Sequence, residues 1–194
     1  RAQQADGDAA AAEASYRAAI SADADQVAAQ NNLGTVLLDQ GQLGGAVDAY
    51  RQATGNDPAT AVHANSAWNL SVALLLSGDY EEGWRWYEWR FHKGGATPPS
   101  FEKPRRHLGA PADARVLVWA EQGYGDTMQF VRYVPMVKGH AAAVILEIQP
   151  NLRRLLDGFG GAVTVAPGEE MPEYDFHIPM LSLPGLFGTT VDSV

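Results

Sequence analysis

Apolar side chains in the first half of the chain recur at the spacing of an α-helix. In the segment LGGAVDAYRQA they are Leu43, Ala46, Val47, Tyr50 and Ala53, each of which has another of them three or four positions away. Side chains at this spacing share one face of a helix. The segments NNLGTVLLDQ and WNLSVALLLS are apolar in a similar way and match each other. The first half is therefore predicted to be all-α, with close helix contacts at the small residues Ala46 and Gly83.

The helical segments form a repeat. Gly7, Gly41 and Gly78 are each followed nine residues later by a tyrosine, and they are spaced by 34 and then 37 residues. Each copy is predicted to be a helix, a glycine-containing turn and a second helix, and Pro58 follows a helix end. The pattern resembles the tetratricopeptide repeat, whose period is about 34 residues. The first copy has only its second helix and there is no initiating Met, so we expect an N-terminal part to be missing.

Two asparagines occupy the same register in successive repeats. Asn32 and Asn69 each come just before the leucine of a first helix. In tetratricopeptide repeats this position faces the concave groove, and an amide, with its donor and acceptor, suits an extended peptide backbone. The pair resembles the asparagine ladder of the O-linked N-acetylglucosamine transferases, which implies a protein or peptide partner. The alternative is two solvated asparagines on a helix surface.

The segment YEEGWRWYEWRF is predicted to be a helix with two apolar faces. At 100° per residue, one face carries Tyr80, Trp84, Tyr87 and Phe91. Trp86 and Trp89 lie on the opposite face. A terminal repeat needs a polar outer face, so we expect another body to cover these two indoles. The domain that follows is the candidate, which makes them interdomain residues, and a lipid- or partner-binding patch is the alternative.

From Arg115 the pattern changes to strands that alternate with helices. The short apolar runs RVLVWA, AAVILEIQ, AVTVA and YDFHIPM predict strands. A helix is predicted over about residues 127–138, bent or ended by Pro135, and PNLRRLLDGF predicts a short helix. This alternation is typical of a parallel, Rossmann-like sheet.

The predicted fold class is therefore α plus α/β. An all-α solenoid of about two and a half repeats occupies residues 1–93. A linker rich in Gly and Pro follows at 94–114, and a Rossmann-like α/β domain occupies 115–194.

Composition narrows the classes of partner. The net charge of −9 argues against nucleic acid and anionic membranes, which demand a basic surface. No apolar run is long enough to span a bilayer, so no membrane span is expected. The chain has no Cys, which excludes disulfides and thiolate metal sites and is compatible with a cytoplasmic location. No His or carboxylate cluster has the spacing of metal ligands, so no metal is predicted.

The segment WAEQGYGDTMQF is predicted to be the turn between the first strand and its helix. A phosphate-binding loop needs a Lys that is absent here, and Met128 stands where a dinucleotide fingerprint needs its third Gly. An acid at a helix start would also repel phosphate. Asp126 is then either an N-cap or a general base, and one residue can serve both purposes. Gly123 and Gly125 would let another molecule approach the backbone.

A strand followed by QGYGDTMQF resembles the opening of the heptosyltransferases, glycosyltransferases of the two-domain GT-B type. The chain as a whole resembles bacterial tetratricopeptide-repeat proteins with a glycosyltransferase-like part. The resemblance implies that Asp126 is the catalytic base, and that sugar is transferred from a nucleotide donor with inversion. In such enzymes a second Rossmann domain holds the donor. No second Rossmann domain follows in this sequence, so we expect the chain to be truncated and inactive alone. Apart from the nucleotide-sugar donor, no cofactor is expected.

The remaining candidate substrate contacts surround this turn. They are Glu121, Gly123, Tyr124, Gly125 and Thr127, together with His177 near the end of the last predicted strand. A lone His in an apolar stretch is more often structural. The alternative function is a non-catalytic scaffold, in which the repeats bind a protein and the α/β part is structural.

Overall fold

The computed structural model describes residues 2–55, 61–93, 100–105 and 111–193. Pro58 and most of the predicted linker therefore lie outside the described residues. The chain divides into two compact units. Unit 1 comprises Arg1–Pro98 with Thr189–Val194, and unit 2 comprises Pro99–Gly188. Among the described residues, no helix is both long enough and apolar enough to cross a membrane.

Unit 1 is built from antiparallel helical hairpins. Its helices are α1 (Ala2–Ala22), α2 (Val27–Asp39), α3 (Leu43–Thr54), α4 (Ala61–Ser77) and α5 (Tyr80–Tyr87), and a 3-10 turn follows at Glu88–Phe91. Gly41 and Gly78 have φ values of +74° and +89°, and they close the turns from α2 to α3 and from α4 to α5. These are the glycine turns that the repeat predicts.

The turn predicted at Gly7 is wrong, because α1 runs through that position without a break. One glycine inside a helix costs only about 1 kcal/mol relative to alanine. The segment is rich in alanine, the best helix former, so the helix continues.

The core of unit 1 confirms the predicted helical face. Ala46 and Ala53 are fully buried and Tyr50 is 1% exposed. A Cβ added at Gly83 would lie 2.8 Å from Cδ2 of Leu75, so α4 and α5 approach each other as closely as predicted.

Unit 2 contains the predicted parallel sheet. Its strands are β1 (Arg115–Trp119), β2 (Ala143–Glu147), β3 (Val163–Val165) and β4 (Phe176–Pro179). The order is β3-β2-β1-β4, and every pairing is parallel. The predicted fold class, α plus α/β, is confirmed. The order of strands reverses between β1 and β4, and open α/β sheets bind ligands beyond the carboxyl ends of the strands at such a switch point.

The helix after β1 begins earlier than predicted and is interrupted. Helix α6 spans Tyr124–Phe130, a 3-10 turn covers Val131–Tyr133, and α7 spans Val134–Lys138. Pro135 lies in the first turn of α7, where its missing N–H is tolerated. Two further short helices are α8 (Arg153–Leu156) and α9 (Leu183–Leu186).

Candidate functional site

The candidate site lies beyond the carboxyl ends of β1 and β4. Glu121, in the loop after β1, accepts a hydrogen bond at Oε1 from the backbone N–H of Leu181, 2.9 Å away. Leu181 lies two residues after the end of β4, so this bond joins the two segments that follow β1 and β4 at the switch point. Glu121 therefore ties its loop to the segment after β4, and its predicted contact with substrate stays a prediction.

The loop after β2 also holds the loop after β1. Gln149 donates from Nε2 to the carbonyl of Gln122 at 2.8 Å and accepts at Oε1 from the hydroxyl of Thr127 at 2.9 Å. Asn151 donates to the hydroxyl of Tyr124 at 2.8 Å. Thr127 is only 1% exposed and Tyr124 is 52% exposed. Thr127 thus fixes the loop, whereas Tyr124 also faces solvent.

Asp126 is the third residue of α6 and is not its N-cap. The N-cap is Gly123, whose backbone is extended at φ −73° and ψ 171°. The partly exposed carboxylate of Asp126 reaches back and accepts the N–H of Gly123 at 3.1 Å. The predicted N-cap position is therefore wrong, because the helix starts three residues earlier than the sequence indicated. Asp126 still caps one backbone donor of the first turn.

The two glycines at the start of α6, Gly123 and Gly125, leave open space around the backbone. A Cβ at Gly125 would meet no atom within 4 Å, and at Gly123 it would meet only Oδ2 of Asp126, at 3.7 Å. Neither glycine has a positive φ. The backbone conformation therefore does not require glycine at either position, and another molecule has room to approach.

His177 lies on β4 inside a packed group of rings. Its Nδ1 accepts a hydrogen bond from Nε1 of Trp119 at 3.1 Å, and its ring stacks on Phe101 with centroids 4.2 Å apart. Its backbone N–H donates to the carbonyl of Pro104. Burial, and then the guanidinium of Arg105, lower the pKa of His177 below its ordinary value. The imidazole is therefore held neutral, and these contacts tie residues 101–105 to the sheet.

Glu147 is a candidate that sequence reasoning missed. It ends β2 and pairs in register with Trp119 of β1, so both side chains lie on one face of the sheet, the face that also carries His177. Burial raises the pKa of Glu147 above its ordinary value. A half-buried carboxyl at the carboxyl end of a central strand is typical of functional sites. The available signal was one charged residue at the end of an apolar run.

The asparagines of the repeats are arranged differently from the predicted pair. Asn69 of α4 donates from Nδ2 to Oδ1 of Asn31 in α2 at 2.9 Å, and the side chain of Asn32 is exposed. Asn31 and Asn69 therefore meet across neighbouring first helices. Because 100° separates successive helical residues, Asn32 points elsewhere.

Trp86 and Trp89 do not share a continuous α-helix, because α5 ends at Tyr87 and a 3-10 turn follows. Trp86 packs partly against the core of the repeats and donates from Nε1 to Glu82 at 3.0 Å. The ring of Trp89 lies 4.9 Å from that of His92. The predicted interdomain role of the two indoles stays a prediction.

Among the described residues, no group of three or more His, Asp and Glu side chains is placed to hold a metal ion.

Residues 1–61 match the tetratricopeptide repeat family. The matched residues lie within unit 1. The fold is also similar to the solved structure of a mutant O-GlcNAc transferase from Thermobaculum terrenum, with 17% identity and a TM-score of 0.40. That similarity covers 81% of this chain, and the chain spans 38% of the other protein's length. A comparison with curated protein sequences gives no match.

Proposed function

We propose that the chain is part of a glycosyltransferase of the GT-B type, similar to the heptosyltransferases, in which unit 2 holds the acceptor. The observation that supports this best is the position of Asp126. Its partly exposed carboxylate lies in the first turn after β1, next to the switch point of a parallel sheet. Hydrogen bonds from the neighbouring loops hold that turn on both sides.

In the proposed reaction Asp126 is the general base. An acceptor hydroxyl gives its proton to the carboxylate while its oxygen bonds to the anomeric carbon of the donor sugar. The bond from that carbon to the phosphate oxygen of the nucleotide breaks, and the nucleotide leaves with the bonding electrons. Attack opposite the leaving group inverts the anomeric centre. A second Rossmann domain would hold the nucleotide sugar.

The other predicted substrate residues have distinct parts in this proposal. Gly123 and Gly125 leave space for the acceptor, and Tyr124 offers an exposed ring beside it. Glu121 and Thr127 keep the loop in place through their hydrogen bonds. Phe101 covers one face of His177 and Trp119 occupies its Nδ1, so His177 would contact substrate through the rest of its ring.

In this proposal each predicted domain has its own role. The repeats, at 1–93, would recruit a protein or peptide partner, with the linker at 94–114 and the acceptor-binding part at 115–194. A mainly non-catalytic scaffold is the second candidate. The amide pair of Asn31 and Asn69 favours it, because side-chain amides on neighbouring first helices suit recognition of a peptide backbone.

The test is an Asp126→Asn change in the full-length natural protein. Asparagine keeps an oxygen that can accept the N–H of Gly123, so the cap survives while the base is lost. We expect sugar transfer to fall by at least about 100-fold, the lower end of the usual contribution of a general base. Transfer is measured with radiolabelled nucleotide sugars.

The matched control is Asp113→Asn. Asp113 is exposed and lies in the turn before β1, at the amino-terminal end of the strand, whereas Asp126 follows its carboxyl end. The control variant is expected to leave transfer unchanged. Full activity in the Asp126 variant would show that Asp126 is not the general base. If the natural protein binds no nucleotide sugar but binds peptides through residues 1–93, the scaffold function is supported instead.

A further inference from the structure

Unit 1 contains a pocket that the proposed function does not use. The pocket has a volume of about 410 Å³, within the range of about 300–1,000 Å³ typical of small-molecule sites. Its walls come from the end of α3, the middle of α4 and one side of α5. It is lined by Arg51, Gln52, Thr54, Gly55, Leu70, Glu82 and Trp86.

The charged residues of the wall neutralise each other. Arg51 donates from Nη2 to Oε2 of Glu82 at 2.5 Å, and Trp86 donates to Oε1 of the same carboxylate. Burial raises the pKa of Glu82, but the hydrogen bonds from Trp86 and Arg51 outweigh it and lower the pKa below its ordinary value. The wall therefore carries one cation and one anion, which favours a ligand without net charge.

The polar groups of the wall nevertheless offer both donors and acceptors. The bond to Glu82 takes one of the five N–H donors of Arg51, and Gln52 adds an exposed amide with a donor and an acceptor. Thr54 contributes a hydroxyl that can donate and accept. A matching ligand must itself carry several groups of both kinds.

The buried hydroxyl of Thr54 lacks a hydrogen-bond partner among the described residues. The residue is 1% exposed, and across the part of the chain that the structure describes its Oγ1 has no hydrogen-bond partner. Buried hydroxyls are normally satisfied, so an orphan at the wall of a pocket needs a reason. Thr54 lines the pocket, so a ligand there is the candidate for the partner that this hydroxyl lacks.

The remaining wall is apolar. Leu70 is fully buried at the floor and the half-buried indole of Trp86 forms one side. An indole next to hydrogen-bonding groups suits a ligand with one apolar face and a polar rim. A sugar ring has this character, since its C–H groups lie on the faces and its hydroxyls lie on the rim.

We propose that the pocket between α3, α4 and α5 binds a single uncharged sugar residue. The half-buried ring of Trp86 contacts its C–H face, and Arg51, Gln52 and Thr54 bind its hydroxyls. The proposal does not depend on catalysis at Asp126, because every residue that it uses lies in the repeats.

The test is titration of the ¹⁵N-labelled chain with the methyl glycosides of glucose, galactose, mannose and N-acetylglucosamine, followed by NMR. At least one glycoside is expected to shift the Trp86 indole N–H and the Thr54 and Gln52 amide signals, with saturation. Thr54→Val keeps the shape of the side chain and removes the hydroxyl. It is expected to weaken binding by about fivefold, as the loss of one neutral hydrogen bond does.

A glutamine pair provides the matched control. Gln52→Leu lies in the pocket and is expected to weaken binding, whereas Gln26→Leu, at the exposed N-cap of α2, is not. Absence of shifts with all four glycosides would overturn the proposal. Equal binding by the wild type, Thr54→Val and Gln52→Leu would also overturn it. Shifts at the same signals caused only by adenosine or by an N-acetylated amino acid amide would assign the pocket to another ligand class.

Discussion

At the scale of single residues, two buried threonines differ in whether their hydroxyls have hydrogen-bond partners. In unit 2, Thr164 donates to the carbonyl of Leu156 and accepts the N–H of Gly158, both at 3.2 Å. In unit 1, Thr54 is equally buried and its hydroxyl has no hydrogen-bond partner among the described residues. A satisfied hydroxyl stabilises a fold, and an orphan lowers its stability, because desolvation is not compensated.

Valine substitutions at these two threonines should therefore have different effects. Thr164→Val leaves the carbonyl of the buried Leu156 and the N–H of Gly158 without their partner, and we expect the free energy of unfolding to fall by about 1–3 kcal/mol. Thr54→Val removes an orphan, so the free energy of unfolding should stay the same or rise. Urea denaturation of the free protein measures both. Equal losses in the two variants would show that Thr54 has a partner in solution.

At the level of single residues, the sequence predicted part of the candidate site and missed the rest. The Gly-Asp turn after a strand was enough to single out Asp126 and its loop, since glycines and an acid there are local signals. Gln149 and Glu147 were missed. They follow or end a different strand, and only the parallel pairing of β2 with β1 brings them to the loop. No spacing along the chain encodes that neighbourhood.

At the scale of elements, close helix packing in unit 1 depends on specific glycines. A Cβ at Gly34 of α2 would lie 2.6 Å from Cε1 of Tyr50 in α3, a separation that real Cβ atoms essentially never show. Tyr50 is 1% exposed and donates from its hydroxyl to Thr35, so its ring has little room to move. Gly44, on α3, has no atom within 4 Å of an added Cβ.

We expect Gly34→Ala to lower the free energy of unfolding by about 1–3 kcal/mol, because the ring of Tyr50 must shift. Gly44→Ala is the control. It should raise stability by up to about 1 kcal/mol, since alanine is the better helix former and meets no obstacle. Thermal unfolding followed by circular dichroism compares the two. Similar melting temperatures for both variants would contradict the close packing of α2 on α3.

At the scale of the whole molecule, acidic residues outnumber basic ones, and most of the excess negative charge lies in the repeats. Residues 1–90 carry a net charge of −7 and residues 91–194 carry −2.

In unit 2 an ion pair joins the starts of β1 and β4. Arg115 donates from its backbone N–H and from its guanidinium to Asp175, at 2.8 Å and 2.9 Å.

This ion pair predicts how unit 2 responds to acid. Hydrogen bonds from the side chain and then the backbone of Arg115 lower the pKa of Asp175 from 3.8 to about 2. The unfolded chain therefore binds the proton more tightly than the folded chain does. The carboxylate stabilises the fold above pH 3.8, and this contribution is lost as the pH falls through about 2.

Asp175→Asn should consequently lower stability at neutral pH and make the loss of stability between pH 3.8 and about 2 shallower than in the wild type. Asp157→Asn, at the exposed end of α8, should leave that slope unchanged. Urea midpoints measured across this pH range decide the matter. An unchanged slope in Asp175→Asn would show that the ion pair is absent in solution.

The sequence by itself determined the two kinds of structure in this protein. Helical spacing, glycine turns and short apolar runs are local patterns, so they predicted the helices of unit 1, the strands of unit 2 and the fold class. Tertiary structure alone decided which helical asparagines meet, where α6 begins, and which loops hold Asp126. It also decided that Trp86 lines a pocket beside the orphan hydroxyl of Thr54. These features depend on contacts between residues distant in the chain, which local spacing does not record.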